Sequence, residues 1–372
     1  MIGLFNFPLR QQPDGTIVSS GPISAPVLSP SQQVPILPKL SAALGSVMAQ
    51  VADAEFNLDG DSTTYGYYGI STAAMPLQET LKGLFPANIP VATGWIPIGS
   101  PTSARDARYW SIGAGWNPAW MGFGMRSGVL ATNPANPCVF TGVDYCDTFD
   151  VMFAANTGLG TAQIQATGGV AVPVNTGVGP GQLIIGTCSA ASLAKGNTVT
   201  VTGSGQIIPI AARGRNSTKK QLYINGLGIG QSSAKDWASA SSGFASVDAL
   251  AKTSPCLSVV MLGINDSALA GMTLETFKTN YTNMLATFPA TGDLIIAAPI
   301  RSNPALGSGA YLALQVQFTS WLKELSTSLG VRFIPVGDII GDYSAANYAD
   351  DTHCKMNKYP EIALAYYRTM FL

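Results

Sequence analysis

From Lys220 to the C-terminus, short apolar runs alternate with segments of helical period, and this alternation restricts the chain to very few folds. Strands are predicted at Gln221–Asn225, Leu257–Leu262, Leu294–Ala298 and Val331–Ile334. Helices are predicted at Ala234–Ala251, Leu274–Thr287, Tyr311–Ser328 and from about Pro360 to Phe371. Strands and helices in strict turn close into a parallel sheet covered by helices on both faces. Upstream, a helix is predicted over Lys39–Ala54. A strand at Glu55–Leu58 then leads through Asp59-Gly60-Asp61-Ser62 into an apolar-periodic stretch that reaches about Phe85.

Between about Arg105 and Arg215 the texture changes. Helical period gives way to short alternating segments, among them Phe149–Phe153, Ala162–Ala166 and Thr198–Thr202, separated by Gly, Asn and Pro turns. That is the pattern of an all-β sandwich. The chain therefore reads as a discontinuous α/β domain, residues 37–104 and 216–372, with a sandwich inserted over 105–215. Residues 1–36 are rich in Pro, Ser and Gln without sustained period and read as an extended arm.

Composition excludes several classes. The 372 residues are 47% hydrophobic and only 11% charged, with a formal net charge of −1. Apart from Arg213-Gly214-Arg215 and Lys219-Lys220 there is no basic cluster, which argues against nucleic acid as a partner. No apolar run has the length of a membrane span, and the first ten residues do not read as a secretory signal. The five cysteines are scattered, and His353 is the only histidine, so a metal site is not expected. Cys138 and Cys146 are near enough in sequence to pair, which the sequence does not decide.

Four segments fall where an open parallel sheet carries its chemistry, at strand C-termini. In Gly60-Asp61-Ser62 the serine opens a helix, and its own N–H is available to a developing oxyanion; by itself, Asp-Ser before a helix is an ordinary N-cap. Asn225-Gly226-Leu227-Gly228-Ile229-Gly230-Gln231-Ser232 offers a glycine turn with an exposed N–H and lacks the rest of a dinucleotide fingerprint. Gly263-Ile264-Asn265-Asp266 places a side-chain amide beside the same position, although Asn-Asp is also a common turn. Asp350-Asp351-Thr352-His353 supplies the sole imidazole, with an acid three residues earlier that can turn back to its Nδ1–H.

In this order the four segments resemble the conserved blocks of the SGNH (GDSL) hydrolase family. Gly60-Asp61-Ser62 matches the first, Gly230 the second, Gly263-x-Asn265-Asp266 the third and Asp350-x-x-His353 the last. The resemblance implies a flavodoxin-like parallel sheet, a catalytic triad of Ser62, His353 and Asp350, and an oxyanion hole of the Ser62 N–H, the Gly230 N–H and the Asn265 side chain. It implies serine esterase chemistry through an acyl-enzyme, with no metal or organic cofactor. Thr63-Thr64 departs from the leucine usual after the serine, and Asp351 competes with Asp350.

A sandwich spliced into such a core resembles carbohydrate and peptidoglycan O-acetylesterases, bacterial or phage-encoded. That implies an acylated carbohydrate as substrate and an extracellular or virion-borne location, with the arm as a tether to a larger assembly. A lipase or thioesterase of the same fold, and a non-catalytic carbohydrate-binding adhesin or virion protein, are the alternatives. Tyr109, Trp110, Trp116, Trp120 and Phe123 form a dense aromatic group in the insert. The faces of Trp110, Trp116 and Trp120 can stack on sugar rings; the competing reading is that they fill the sandwich core or its seam.

Overall fold

A computed structural model describes residues 9–11, 17–19, 37–66, 77–98, 109–119, 121–125, 127–131 and 134–371. Met1–Ile36 form one compact unit and Leu37–Leu372 another. In the first, Leu9–Gln11 pairs antiparallel with Ile17–Ser19, so part of the expected extended arm is a two-stranded sheet. The remainder of the arm, and its expected role as a tether, lie outside the described residues.

The second unit is organised on a six-stranded parallel sheet. Its strands run in the order Arg332–Pro335, Asp293–Ala298, Leu257–Met261, Ala54–Gly60, Leu222–Gly228, Val91–Thr93. The three-residue edge strand Val91–Thr93 was not anticipated, being too short to show a period. Without it the order is 2-1-3-4-5, that of a flavodoxin-like doubly wound sheet. The topological switch falls beside Ala54–Gly60, where such sheets open a crevice.

Alternate residues of the central strands enter opposite cores, as the two-residue period of a strand requires. Val259 and Ile295 pack with Leu40, Leu44, Leu81, Ile362 and Tyr366 on one face. Val260 and Ile296 pack with Phe277, Tyr281, Phe318 and Leu322 on the other. Helices Pro38–Met48 and Tyr359–Phe371 thus cover the first face, and Leu274–Leu285 and Ala310–Leu329 the second. Among the described residues no helix is long and apolar enough to cross a membrane.

Two predicted helices are interrupted. Among the described residues the segment after Ser62 is helical over Ser62–Tyr65, where Gly66 ends the turn in the left-handed region at φ 83°, and over Leu77–Lys82. The predicted Ala234–Ala251 helix divides into Ala234–Trp237 and Ser246–Ala251. Between them serine side chains take over local hydrogen bonding: Ser239 Oγ donates to the Asp236 carbonyl and Ser241 Oγ to Asp248. Such bonds compete with the helical ladder. The first helix ends at Met48 rather than Ala54, because Ala54 already belongs to the sheet.

The antiparallel strands of this unit lie between Ile96 and Arg215, spliced between the last two strands in the order above. Tyr145–Ala155 pairs with Gln182–Lys195 on one side and Ile208–Arg215 on the other, and Ile96–Pro97 joins that sheet ahead of the predicted limit at 105. A five-stranded sheet built on Cys138–Thr141, Thr161–Ala166 and Thr198–Ser204 packs against it. Along Tyr145–Ala155, Phe149, Val151 and Phe153 enter the core between these sheets. Met152 and Ala154 face the helical side of the parallel sheet. This strand is thereby buried on both of its faces over Phe149–Ala155.

Arg213 ties the insert to the parallel sheet. It is ion-paired to Asp150 at 2.9 Å and to Glu55 at 2.5 Å, and its guanidinium lies 4.6 Å from the Trp95 ring centroid. All five cysteines are buried, and no disulfide joins Cys138 to Cys146.

Candidate active site

The register of three neighbouring strands brings the predicted segments to one edge. Met261, Gly60 and Gly228 are cross-strand partners, so the chain leaves all three strands at the same level, toward Asn265, Ser62 and Gly230 respectively. Close approach of the segments depends on glycine: a Cβ on Gly228 would strike the Tyr65 amide and lie 2.8 Å from the Asp61 carbonyl.

Ser62 is buried, with 7% of its surface accessible. Asp61 caps its helix, accepting from the Thr63 N–H at 2.8 Å and the Thr63 hydroxyl at 2.7 Å. Ser62 occupies the first helical position, whose N–H has no partner within a helix. A helix of four residues has little dipole, so any anion stabilisation here comes from the N–H itself rather than from the helix. Burial raises the Asp61 carboxyl to about 6 against the lowering effect of its bonds to Thr63.

His353 arrives from the opposite end of the sequence. Its loop is pinched by the Ala349 N–H bonding to the His353 carbonyl and the Lys355 N–H bonding to the Asn347 carbonyl. Its Nε2 lies 2.8 Å from Ser62 Oγ and its Nδ1 lies 2.9 Å from Asp350 Oδ2. Burial opposes ionisation of Asp350, but bonds from the Thr352 and His353 N–H groups and from the imidazole outweigh it and hold its pKa below the usual carboxylate range. Tyr359, first residue of the last helix, donates to the Thr63 carbonyl at 3.1 Å and fixes that helix under the Ser62 turn.

Asp351 turns away. Its carbonyl accepts from the Asn303 N–H and its Oδ1 from Asn303 Nδ2, each at 2.7 Å. It braces the loop after Asp293–Ala298 instead of the imidazole.

Asn265 and Asp266 both grip the segment that carries Gly230. Asn265 Nδ2 donates to the Ser232 carbonyl at 2.9 Å, leaving its second amide hydrogen for another acceptor. Asp266, fully buried, accepts the Ala234 N–H on both carboxylate oxygens at 3.1 Å. Burial raises its pKa to about 7. Both buried acids, Asp61 and Asp266, lie within the matched segments, but neither could be assigned a role from the sequence, because burial cannot be read from a single chain.

The aromatic group of the insert is packed inside. Trp110 and Trp116 are 3% and 7% exposed, and Tyr109 and Phe123 are buried too. The Trp110 indole N–H bonds to the Ile96 carbonyl and its ring lies 5.0 Å from that of Phe140; the Trp116 N–H bonds to the Asn136 carbonyl. This corrects the expectation of a stacking surface at Trp110 and Trp116, because rings that close the sandwich core have no face left for a sugar. Trp120 lies outside the described residues.

Sheet order defines the fold class: a flavodoxin-like doubly wound α/β fold with an inserted all-β region, at whose strand ends these segments converge. Among solved structures, the chain is similar to a peptidoglycan O-acetylesterase with a TM-score of 0.64 at 15% identity, covering 89% of this chain and 95% of that one. An acetylxylan esterase from Geobacillus stearothermophilus matches at TM-score 0.33 and 17% identity over 41% of this chain and 74% of that one. A carbohydrate acetylesterase from Sinorhizobium meliloti matches at 0.32 and 16% over 41% and 80%. Neither a protein-family model nor a curated protein sequence matches the chain.

Proposed function

We propose that the protein is a serine esterase that removes O-acetyl or other short acyl groups from a carbohydrate through an acyl-enzyme. The observation that carries this reading is the continuous contact from Ser62 Oγ through the imidazole of His353 to Asp350. A hydroxyl is a poor nucleophile until a neighbouring base takes its proton, and a base held by a carboxylate keeps the tautomer that can do so.

Ser62 Oγ attacks the ester carbonyl as His353 Nε2 takes its proton. Asp350, ionised at neutral pH, accepts from Nδ1–H and stabilises the imidazolium. The Ser62 N–H, the Gly230 N–H and the free hydrogen of Asn265 Nδ2 receive the tetrahedral oxyanion. Collapse expels the sugar hydroxyl, protonated by His353, and leaves Ser62 acylated. Water, activated by the same imidazole, then releases the acid. Every step uses groups of this chain.

The fold shared along nearly its whole length with a peptidoglycan O-acetylesterase supports an acylated glycan as the substrate class. The test is hydrolysis of a chromogenic acetyl ester, with acetate release from acetylated peptidoglycan and acetylated xylan measured in parallel. Ser62→Ala is expected to abolish turnover on all three. Serine-independent hydrolysis would overturn the mechanism, and preference for long acyl chains without acetate release would overturn the substrate class.

A further inference from the structure

The segment bearing Gly230 is held on two sides, and only one belongs to the parallel sheet. On that side stand Asn265 and Asp266. On the other stands a tight turn of the insert, Met121–Met125, in which the Met125 N–H bonds to the Gly122 carbonyl at 2.9 Å and Gly124 sits at φ 53°. Phe123 is fully buried in the core that contains Leu227, Ile229, Ala234 and Trp237. The Gly122 N–H bonds to the Phe244 carbonyl at 2.7 Å, and Ser246 Oγ donates to the Gly122 carbonyl at 3.2 Å.

Gly124 is where the turn meets the loop. A Cβ there would lie 2.7 Å from Ser232 Oγ and 3.0 Å from Trp237 Nε1. Ser232 in turn links the loop to the site. Its hydroxyl donates to the Ile229 carbonyl at 2.9 Å, closing the turn around Gly230, and its carbonyl receives Asn265 Nδ2. A displacement of Ser232 therefore moves the Gly230 N–H and the Asn265 amide together.

We infer that Gly124 of the inserted β region is a positioning residue for the esterase: its missing side chain lets the insert press against Ser232 and fix the two oxyanion donors that loop and Asn265 supply. The insert acts here on the chemistry rather than as a sugar platform. The inference rests on the reading of Gly230 and Asn265 as oxyanion donors. Donor placement matters steeply, because removing one such donor costs on the order of a hundredfold in kcat.

The experiment is a double-mutant cycle of Gly124→Ala and Ser232→Ala, with kcat and KM measured on the acetyl ester. Gly124→Ala is expected to lower kcat about tenfold or more with KM changed less than about threefold, as for an interaction made mainly in the transition state. The pH profile of kcat/KM should keep its shape, since His353 and Asp350 are untouched. In the Ser232→Ala background, where the struck hydroxyl is gone, the same substitution should cost at least fivefold less. Thermal melts of all four proteins establish that each is folded at the assay temperature.

Equal losses in both backgrounds, or a loss of kcat matched by the unfolded fraction, would overturn the inference. Should Ser62→Ala retain activity, the proposed function fails instead, independently of how Gly124 and Ser232 couple.

Discussion

His353 Nε2 lies 2.8 Å from Ser62 Oγ across 291 residues of sequence. The pair is held by the two ends of the parallel sheet's chain rather than by any local turn. Its members depend on different supports: Asp61 and Tyr359 for the serine turn, Asp350 and the pinched loop for the imidazole.

The two adjacent acids before His353 should behave very differently. Asp350→Asn removes the acceptor that orients the imidazole and is expected to lower kcat on the order of a thousandfold or more. Asp351→Asn weakens only the contact to Asn303 and should change kcat less than about threefold. Steady-state kinetics of the two variants on one ester decide the assignment, and comparable losses would refute it.

Buried acids give the protein an inverted pH dependence of stability over part of the range. Asp61 and Asp266, raised by burial to about 6 and about 7, hold protons in the fold where the unfolded chain has released them. Their stabilising contribution is full below about pH 4 and declines as pH rises, ending near 6 for Asp61 and near 7 for Asp266. Asp61, Asp236 and Tyr281 are the ionisable neighbours of Asp266. Asp350 has the opposite sign: its lowered pKa stabilises the fold above about pH 4, and that contribution is lost on acidification. Asp266→Asn, which keeps an acceptor for the Ala234 N–H, should remove about 2–4 kcal/mol of the fall in unfolding free energy between pH 4 and 8. Urea titrations at pH 4 and pH 8 measure it; an unchanged difference between the two would exclude Asp266 as its source.

Arg213 joins the insert to the parallel sheet through paired charges that are largely out of water. Arg213→Ala leaves Asp150 paired with Arg215 but Glu55 with the Asn225 amide in place of its cation, and a loss of about 3 kcal/mol is expected. Burial already raises the Glu55 pKa against the pull of Arg213, so Glu55→Gln combined with Arg213→Met should be less destabilising than Arg213→Ala. Equilibrium unfolding of the three proteins checks the order.

Trp110 and Trp116 should report on stability and not on substrate. Trp110→Ala opens a cavity beside Phe140 and is expected to cost about 3–5 kcal/mol. KM for an acetylated oligosaccharide, measured where the variant is folded, should stay within about twofold. A rise in KM larger than that would restore a sugar-binding role to this position.

Leu257–Met261 and most of Asp293–Ala298 were legible because they are short, mainly apolar runs that the sheet buries, a pattern that survives without knowledge of neighbours. The Ala234–Ala251 helix was misread because helical period alone does not register serine hydroxyls that bond back to the chain. The aromatic group was ambiguous for a related reason: an indole in a β-rich stretch looks the same whether it closes a core or faces a ligand.

Sequence order and residue type determined the doubly wound sheet and named Ser62, Gly230, Asn265 and His353, since their chemistry and their places after apolar runs are local properties. Tertiary structure decided what local properties cannot express. Cross-strand register set Gly60, Gly228 and Met261 at one level. Loop geometry gave the imidazole to Asp350 and left Asp351 to Asn303. Burial raised the pKa of Asp61 and Asp266, and packing brought Gly124 of the insert against Ser232. Each of these depends on contacts between residues far apart in the chain, whose distances only the folded backbone fixes.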